Sequence, residues 1–221
     1  MMAGVSIGGV TVSAASFGTI PILKASIGDT LIFPTFQPVL TPITTVGSYV
    51  YNIPAESKFI DVILLGAGGG GQGMGSATAW GQGGFAGSWQ TVTLQRGVHI
   101  PMSVTQIAGV IGAGGTAGPG YTIGQTGAGG KGGDTTAAFS GFLLTAVGGA
   151  GGNSRNLDIT GKSPGDMAFN GQPYPGGAAQ SSPSGTGNPA GGGGAAATIS
   201  VGFTGLAGGA GARGQAWFYA Y

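Results

Sequence analysis

The stretch from Gly66 to Gly87, which reads GAGGGGQGMGSATAWGQGGFAG, constrains the fold of this chain more than any other feature. It follows the apolar run 59–65 and leads into the alternating run 88–94. Glycine loses more backbone entropy on folding than any other residue. A tract this rich in glycine therefore folds only where it gains close contact between backbones, which residues without a Cβ permit. We predict ordered, extended tracts that pack against one another.

The same unit of strand, glycine tract, short insert, glycine tract and strand recurs twice more. The second excursion leaves through 109–120 and returns through 127–133. The third leaves through 148–152 and returns through 191–194 and 207–212. This order predicts strands at one end and three inserts at the other. In a polyproline-II-like conformation each buried amide must pair with a neighbouring tract, since that helix makes no internal hydrogen bonds. We expect six tracts in a flat stack.

Other strands are indicated by apolar or alternating runs. Residues 49–53 and 59–65 read as two strands, and 92–104 as a hairpin. A further pair spans 135–147, and the chain closes on a strand over 215–221. No helical periodicity extends beyond two turns. The sequence predicts an all-β fold, in which a small N-terminal β-repeat region precedes a β-sandwich-like domain with packed polyglycine-II-type tracts and loops displayed at one end.

Residues 1–47 form a separate region. A triplet of serine, an apolar residue and glycine recurs there at a spacing of ten, and each copy precedes a short extended run. Three such units predict a small β-meander that docks or oligomerises the chain, because ten residues are too few to bury a core alone. Prolines make 34–47 an extended connector, and the glycine-rich β domain occupies 48–221. The residues expected to form core or subunit contacts are Ile7, Phe17, Ile27, Phe33, Trp89, Trp217 and Tyr219.

Charge and cysteine content exclude several classes of function. Seven Lys and Arg against six Asp and Glu give a net charge of +1, so the chain offers no basic face to nucleic acid or an anionic membrane. So few charges favour a chain that lives in an assembly. The absence of cysteine excludes disulfides and thiolate metal sites. Glycine does not recur at every third position, which excludes collagen, and an apolar content of 41% argues against disorder.

Catalytic motifs are weak. The GxGxxG pattern that begins at Gly66 follows an apolar strand, as a dinucleotide-binding fingerprint does, but that fingerprint needs a helix N-terminus and here more glycine follows. His99, the single histidine, is expected to face solvent on a strand. Asp158 and Asp166 share one insert, which does not make a glycosidase pair. We therefore expect no catalytic activity, no cofactor and no metal site.

Recognition is the stronger hypothesis, since loops on a rigid scaffold commonly bind partners. Aromatic rings stack on sugar faces and polar side chains bond to hydroxyls, so the inserts suit a glycan. For Trp80 and Tyr121 the alternative is that they cap the glycine stack, and 153–189 is either the main receptor contact or a disordered loop. The candidate receptor-binding residues are Met74, Trp80, Tyr121, Arg155, Asn156, Asp158, Lys162, Asp166, Phe169 and Tyr174.

Three segments carry a resemblance to a known group: VILLGAGGGGQG, GQGGFAGSWQTVTL and GGAGARGQAWFYAY. Over residues 48–221 the chain resembles the glycine-rich minor tail proteins of phages infecting actinobacteria. Its N-terminal repeats are similar to short β-repeats ahead of tip domains in siphophage tail proteins. More distantly, the layout is similar to the glycine-rich adhesins of coliphage long tail fibres, in which polyglycine helices form a sandwich and the inserts contact the receptor. The alternating hairpins of this chain depart from that group.

The resemblance implies a virion protein of the tail tip or tail fibre, assembled in the host cytoplasm, that presents its inserts to a host-surface glycan or envelope component. We expect a homotrimer with other tail proteins as partners, without nucleic-acid binding or membrane insertion. The alternative is a purely structural spike or decoration protein that contacts no receptor. A silk-like or elastic matrix protein is a further alternative.

Overall fold

The computed structural model describes residues 36–75, 81–121, 126–154, 158–198 and 205–221, together with the backbone of six short strands before residue 34. No helix occurs among these residues, and so no described segment is a helix that could cross a membrane. The described chain consists of antiparallel sheets and of glycine tracts that belong to neither strands nor helices. The predicted all-β fold is confirmed.

Each N-terminal repeat forms one two-stranded antiparallel hairpin, and the described strands pair only within their own repeat. Pairing between successive hairpins, as a meander requires, does not occur among these strands. The side chains of Ile7, Phe17, Ile27 and Phe33 lie outside the described residues, so their contact roles stay predictions. The strands are β1 (Ser6–Ile7), β2 (Val10–Thr11), β3 (Ala15–Phe17), β4 (Ile20–Ile22), β5 (Ala25–Ile27) and β6 (Thr30–Phe33).

Twelve further strands follow: β7 (Val39–Ile43), β8 (Gly47–Asn52), β9 (Phe59–Leu65), β10 (Gly73–Met74), β11 (Trp89–Gln95), β12 (Gln106–Ile111), β13 (Thr126–Gly127), β14 (Thr135–Phe139), β15 (Phe142–Ala146), β16 (Met167–Phe169), β17 (Gln172–Tyr174) and β18 (Gln215–Ala220). The first large sheet has the strand order β11-β9-β18-β7, and the second has the order β15-β14-β12-β8. Strand β7 lies within the predicted connector 34–47. An edge strand tolerates its proline, because one side of that strand needs no ladder partner.

The hydrophobic core lies between the two large sheets. Alternate residues of β9, namely Ile60, Val62 and Leu64, belong to it and are fully buried. Phe218 of β18 stacks on Tyr51 of β8 with ring centroids 4.1 Å apart, which joins the two sheets. The other face of β9 is buried as well. Burial on both faces explains why this strand is apolar almost throughout.

The predicted hairpin over 92–104 is wrong in its second half. Residues 98–105 form a turn, and β12 begins only after it. The carbonyl oxygen of Gln95 accepts a hydrogen bond of 2.9 Å from the N–H of His99, so the chain curls back instead of pairing along β11. Pro101 has no N–H to give to a ladder. The alternation of apolar and polar residues that suggested a strand therefore belongs to a turn.

Residues 66–75 form a central tract that is enclosed by other tracts. Its successive N–H groups donate to three neighbours in rotation, and its carbonyl oxygens accept from three further neighbours with the same period. A repeat of three residues is that of the polyproline II helix, so the central tract is a polyglycine-II-type helix. The first three of its donor bonds, of 3.0, 3.1 and 2.8 Å, run from Gly66 to Ser88, from Ala67 to Gly133 and from Gly68 to Ala212.

The six neighbours form a closed ring around the central tract, in which each is hydrogen-bonded to the next. The flat stack predicted from the sequence is therefore wrong. Because successive residues of a three-fold helix point about 120° apart, each helix donates in three directions and accepts from three others, which yields a hexagonal bundle. In order around the ring, these ring tracts are 81–88, 147–154, 126–134, 112–121, 205–214 and 191–198.

Glycine is required at many of the positions where two tracts touch. A Cβ on Gly68 would lie 2.0 Å from the carbonyl oxygen of Gly192, and one on Gly71 would lie 2.1 Å from that of Ala195. Apart from Tyr121, Thr126 and Ser154 at the tract ends, four of the ring tracts carry residues larger than alanine or glycine only at every third position, where the residue is half-buried or exposed. These outward positions are 82, 85 and 88; 113, 116 and 119; 128, 131 and 134; and 147, 150 and 153.

Candidate functional site

The tracts run alternately away from the large sheets and back, so the described residues that flank their connections lie at the far end of the bundle, here called the distal end. Near the top of the central tract, Met74 exchanges backbone hydrogen bonds of 2.8 and 2.9 Å with Leu206 and pairs with Thr126. Three tracts therefore end at the same level. The connections themselves, 76–80, 122–125, 155–157 and 199–204, lie outside the described residues.

Two glutamines close the tract ends below the distal connections. The buried side chain of Gln72 accepts a hydrogen bond of 3.0 Å from the N–H of Gln82. The side-chain oxygen of Gln82 in turn accepts from the N–H groups of Asn153 and Ser154, both at 3.2 Å. These side-chain oxygens accept hydrogen bonds from backbone N–H groups for which no neighbouring tract supplies a carbonyl acceptor. The bundle is therefore ordered up to the residues that flank the connections.

The predicted receptor-binding residues fall into three groups. Trp80, Arg155 and Asn156 lie outside the described residues. Met74 and Tyr174 have no exposed surface, so neither side chain can touch a receptor in this conformation. The cause is that Met74 lies between neighbouring tracts and Tyr174 lies against the first large sheet. The candidates that are exposed or half-buried are Tyr121, Asp158, Lys162, Asp166 and Phe169.

Only some of these candidates flank the distal connections. Tyr121 is 41% exposed and directly precedes the connection 122–125. Asp158 follows the connection 155–157 and forms a surface ion pair with Lys162, whose hydrogen bond lowers the pKa of the Asp158 carboxyl. The distal end therefore offers one described aromatic ring and one described ion pair.

The long insert 153–189 does not lie at the distal end as a whole. From Asp158 to Lys162 the chain runs back along the bundle, hydrogen-bonded to the ring tract 191–198, and strands β16 and β17 form a hairpin on the outer face of the first large sheet. On that face, half-buried Phe169 packs against an apolar cluster that includes Ile63, Tyr174 and Trp217. Exposed Asp166 accepts a hydrogen bond of 2.9 Å from the N–H of Gly176. The hairpin is therefore part of the scaffold. The expectation that the whole insert is presented at the far end is wrong.

Aromatic side chains join the hairpin to the sheet. Trp89 stacks on Trp217 with ring centroids 5.4 Å apart, and Tyr174 meets Trp217 edge-on at 5.8 Å. The indole N–H of Trp89 donates to the carbonyl oxygen of Pro164 at 3.2 Å. Trp217 is 4% exposed, whereas Trp89 and Tyr219 are half-buried. The structure places Trp89 on β11 and Trp217 and Tyr219 on β18, two strands separated by β9, and it brings Trp89 and Trp217 together in this cluster.

A buried carboxylate, which the sequence analysis missed, fixes the tip of the hairpin. Asp61 of β9 has no exposed surface and accepts hydrogen bonds from the hydroxyl of Thr93 at 2.7 Å and from the side-chain amide of Asn170 at 3.0 Å. Nearby, burial and the Asp61 charge raise the pKa of Tyr174 to about 12. The signal was present in the sequence, since Asp61 is the one charged residue in a strand that is otherwise apolar.

The hairpin itself also has a signal in the sequence. Asn170 and Gly171 have positive φ angles of 46° and 76°, the combination that a two-residue type I′ turn requires. Asn-Gly between two short runs with apolar residues is a strong hairpin indication. Reading it would have moved 167–174 from the displayed inserts to the scaffold.

Among the described residues, no group of three or more His, Asp or Glu side chains is placed to hold a metal ion. What the arrangement provides is mechanical: a hydrogen-bonded bundle that holds the described residues on both sides of the four distal connections. The chemistry of any contact would come from the side chains at that end.

Comparison with known proteins agrees with this architecture. A family described as a glycine-rich domain matches residues 44–221. The chain is 70% identical to the "Gene 32 protein" of Mycobacterium phage D29 over 223 residues, which covers 100% of both proteins. It is 54% identical to the "Gene 32 protein" of Mycobacterium phage L5 over 202 residues, 90% of each. Both of these relatives are encoded by phages. Because the family model matches most of its length, the chain belongs to the glycine-rich domain family.

Proposed function

We propose that this chain is a virion protein of the phage tail tip or tail fibre, and that its distal end attaches the particle to a glycan of the host envelope. The observation that supports this most is the central tract with hydrogen-bonded neighbours on all six sides. Such a bundle holds the described residues on both sides of each connection in place, and recognition commonly uses loops on a rigid scaffold. The phage-encoded relatives support a role in phage particles.

The glycan class rests on the side chains available at the distal end. Tyr121 is an exposed aromatic ring beside a connection, and Asp158 and Lys162 are polar groups beside another. The connections add Trp80, Arg155 and Asn156 from the sequence. Sugars stack on aromatic faces and hydrogen-bond to amides, carboxylates and cations.

We propose a homotrimer because the outer face of the second large sheet exposes apolar side chains that another copy of the chain could cover. One row across its four strands consists of Val50, Ala108, Ala138 and Leu143. Val50 is 56% and Leu143 67% exposed, and none of the four strands carries a charged residue. Covering an exposed aliphatic side chain contributes about 1.5–3 kcal/mol. A second copy of this chain, with its low charge, suits that face.

The attachment role is tested by replacing 76–80 and 122–125 with Gly-Ser segments of equal length in the phage. A control replaces Val98 and His99 with Gly-Ser. These exposed residues lie in the turn between β11 and β12, at the end of the domain opposite the distal connections. We expect both variant proteins in purified particles by mass spectrometry, and at least a tenfold slower adsorption to host cells for the distal variant alone. Normal adsorption by the distal variant would favour the structural spike. Absence of the unaltered protein from particles would contradict the virion role itself.

The trimer is tested by weighing the isolated protein with light scattering. Three chains of 21.2 kDa give about 64 kDa. Leu143→Arg should lower the mass to that of one chain, while Val98→Arg, a substitution at a turn residue that is also 67% exposed, should not. A single-chain mass for the unaltered protein would contradict the trimer.

A further inference from the structure

The end of the domain opposite the distal connections, the proximal end, contains a surface cavity of about 370 Å³. It lies between the turn that joins β8 to β9 and the turn that joins β11 to β12, and its lining includes Glu56, Lys58, Phe59, Arg96 and Met102. The function proposed above makes no use of it.

Backbone hydrogen bonds fix the walls of this cavity. The carbonyl oxygen of Tyr221 accepts from the N–H groups of Lys58 and Phe59 at 2.9 and 2.8 Å, and the N–H of Arg96 donates to Lys58 O at 2.9 Å. The last strand, β18, pairs beside it with Val39 at the start of β7. The cavity therefore lies where the chain enters the domain from the N-terminal hairpins.

The guanidinium group of Arg96 is incompletely satisfied. Its Nη2 donates to the carbonyl oxygen of Met102 at 3.0 Å. Its Nε and Nη1 are buried and have no hydrogen-bond partner. Arginine stays protonated in proteins, and a buried donor without an acceptor is costly. An acceptor from outside the domain can satisfy a buried donor of this kind.

Charge and shape define that partner. Two cations, Lys58 and Arg96, and one carboxylate, Glu56, line the cavity, which gives it a net charge of +1. A single carboxylate balances this charge, and its planar geometry fits the planar guanidinium of arginine. Met102 is 61% exposed and Phe59 is half-buried, so the lining also offers apolar surface next to the cations.

Apart from Glu56, which is already counted in the charge of the cavity, the carboxylates of the described domain are engaged elsewhere. Asp61 accepts from Thr93 and Asn170, Asp134 pairs with Lys131, and Asp158 pairs with Lys162. Asp166 accepts the N–H of Gly176. Asp29 lies outside the described residues, so the experiment must distinguish it from an acidic residue of a second protein.

We propose that this cavity binds an acidic side chain of a second protein, carried on a peptide segment with an apolar residue next to the acid. Binding requires the Arg96 side chain to turn, because Nε and Nη1 have almost no accessible surface in this conformation. The carboxylate then accepts a hydrogen bond from one of them, Lys58 adds charge, and the apolar neighbour contacts Phe59 and Met102. This goes beyond the proposed function, since it assigns a partner-binding site to the end that faces away from the receptor.

The test follows the Nε–H resonance of Arg96 by NMR in the full chain, titrated with the peptide acetyl-Leu-Glu-Leu-amide and with its Gln counterpart. We expect a saturable shift with the Glu peptide and at least tenfold weaker binding of the Gln peptide. In a competition assay, Arg96→Lys should weaken binding of the Glu peptide at least tenfold, since lysine lacks the planar fork. Lys131→Gln, at an exposed site outside the cavity, should leave it unchanged.

Several outcomes would overturn the proposal. No saturable shift with either peptide, or equal affinity for both, would remove the acidic ligand. Tighter binding of inorganic phosphate than of the Glu peptide would make the cavity a phosphate site. Binding of the Glu peptide only after Asp29→Asn would show that the chain's own acid fills the cavity. A thermal melt of Arg96→Lys establishes that the variant is folded, so that lost binding is read as loss of the site.

Discussion

Replacing Gly71 by alanine tests the backbone contact on which the bundle depends. The new Cβ would lie 2.1 Å from the carbonyl oxygen of Ala195 and 2.3 Å from its carbon, whereas ordinary van der Waals contact begins at 3.4 Å. The obstacle is backbone, so no side chain can rotate away. The ring tract 191–198 would therefore have to retreat from the central tract by about 1 Å or more.

The cost of that retreat follows from the hydrogen bonds between the two tracts. Gly194 donates to Gly69 O and Ala197 donates to Gln72 O, both at 2.9 Å. A buried donor left without its acceptor costs about 1–3 kcal/mol, so two cost about 2–6 kcal/mol. Alanine recovers roughly 0.4–1 kcal/mol by restricting the unfolded chain. The free energy of unfolding should fall by about 2–5 kcal/mol, which lowers Tm by on the order of 10 °C in a chain of this size.

Thermal unfolding followed by circular dichroism or calorimetry measures this shift. The matched control is Ala150→Ser, which also changes a glycine tract but at an exposed outward position. We expect the control to change the free energy of unfolding by less than about 0.5 kcal/mol. If Gly71→Ala and Ala150→Ser had the same Tm, the tracts would not be in the close contact described here, and the bundle would be wrong.

Three further substitutions probe other parts of the scaffold. Asn170→Ala takes donors from the buried Asp61 carboxylate and should cost about 1–3 kcal/mol, with faster proteolysis of the β16–β17 hairpin as the readout. Tyr51→Phe removes a buried hydroxyl without a partner and should not lower Tm at pH 7. Burial raises the pKa of Tyr51 from 10.0 to about 12, so its stabilising contribution is present below pH 10 and lost between pH 10 and 12; Tyr51→Phe should lose less stability in that range. Lys131→Ala breaks the exposed ion pair with Asp134 and should change the free energy of unfolding by less than about 0.5 kcal/mol.

The strands that border the glycine tracts could be predicted because each is an apolar run that ends at glycine. Strands β9, β14, β15 and β18 all occur close to their predicted positions. The start of β12 could not be read in this way. Apolar residues alternate over 98–104 as they would in a strand, and only the hydrogen bonds within that segment, such as the one from Val104 N–H to Pro101 O, show that it is a turn and that β12 begins after it.

The hexagonal bundle was missed because its period is local. Glycine does not recur at every third position along the whole chain, but within a ring tract residues with larger side chains do, as in Gln82, Phe85 and Ser88. Each tract holds only about three such turns, and the phase restarts after every strand. A search for period three within single tracts would have identified the outward positions. The direction of neighbouring tracts, in contrast, depends on long-range hydrogen bonds that no local pattern encodes.

Only part of the candidate site could be predicted from the sequence. Tyr121 beside a connection could be located because the glycine tracts delimit the inserts. The fate of the long insert depends on Asp61 holding Asn170, two residues far apart in the sequence. Met74 and Tyr174 were misplaced because burial between tracts or under a hairpin is a property of the assembled fold.

The phase of the tracts can itself be tested by insertion. One glycine inserted after Ala128 would shift Ala128 into the position of Gly127, where a Cβ lies 2.1 Å from the carbonyl oxygen of Pro119. Inserting Gly-Gly-Ala at the same place adds one full turn, about 9 Å, and keeps every outward residue outward. We expect the single insertion to cost about 1–3 kcal/mol or more in chemical denaturation, and the triplet less than half of that. Equal losses would mean that the tracts have no fixed phase, and a chain without fixed phase could not hold its connections in place.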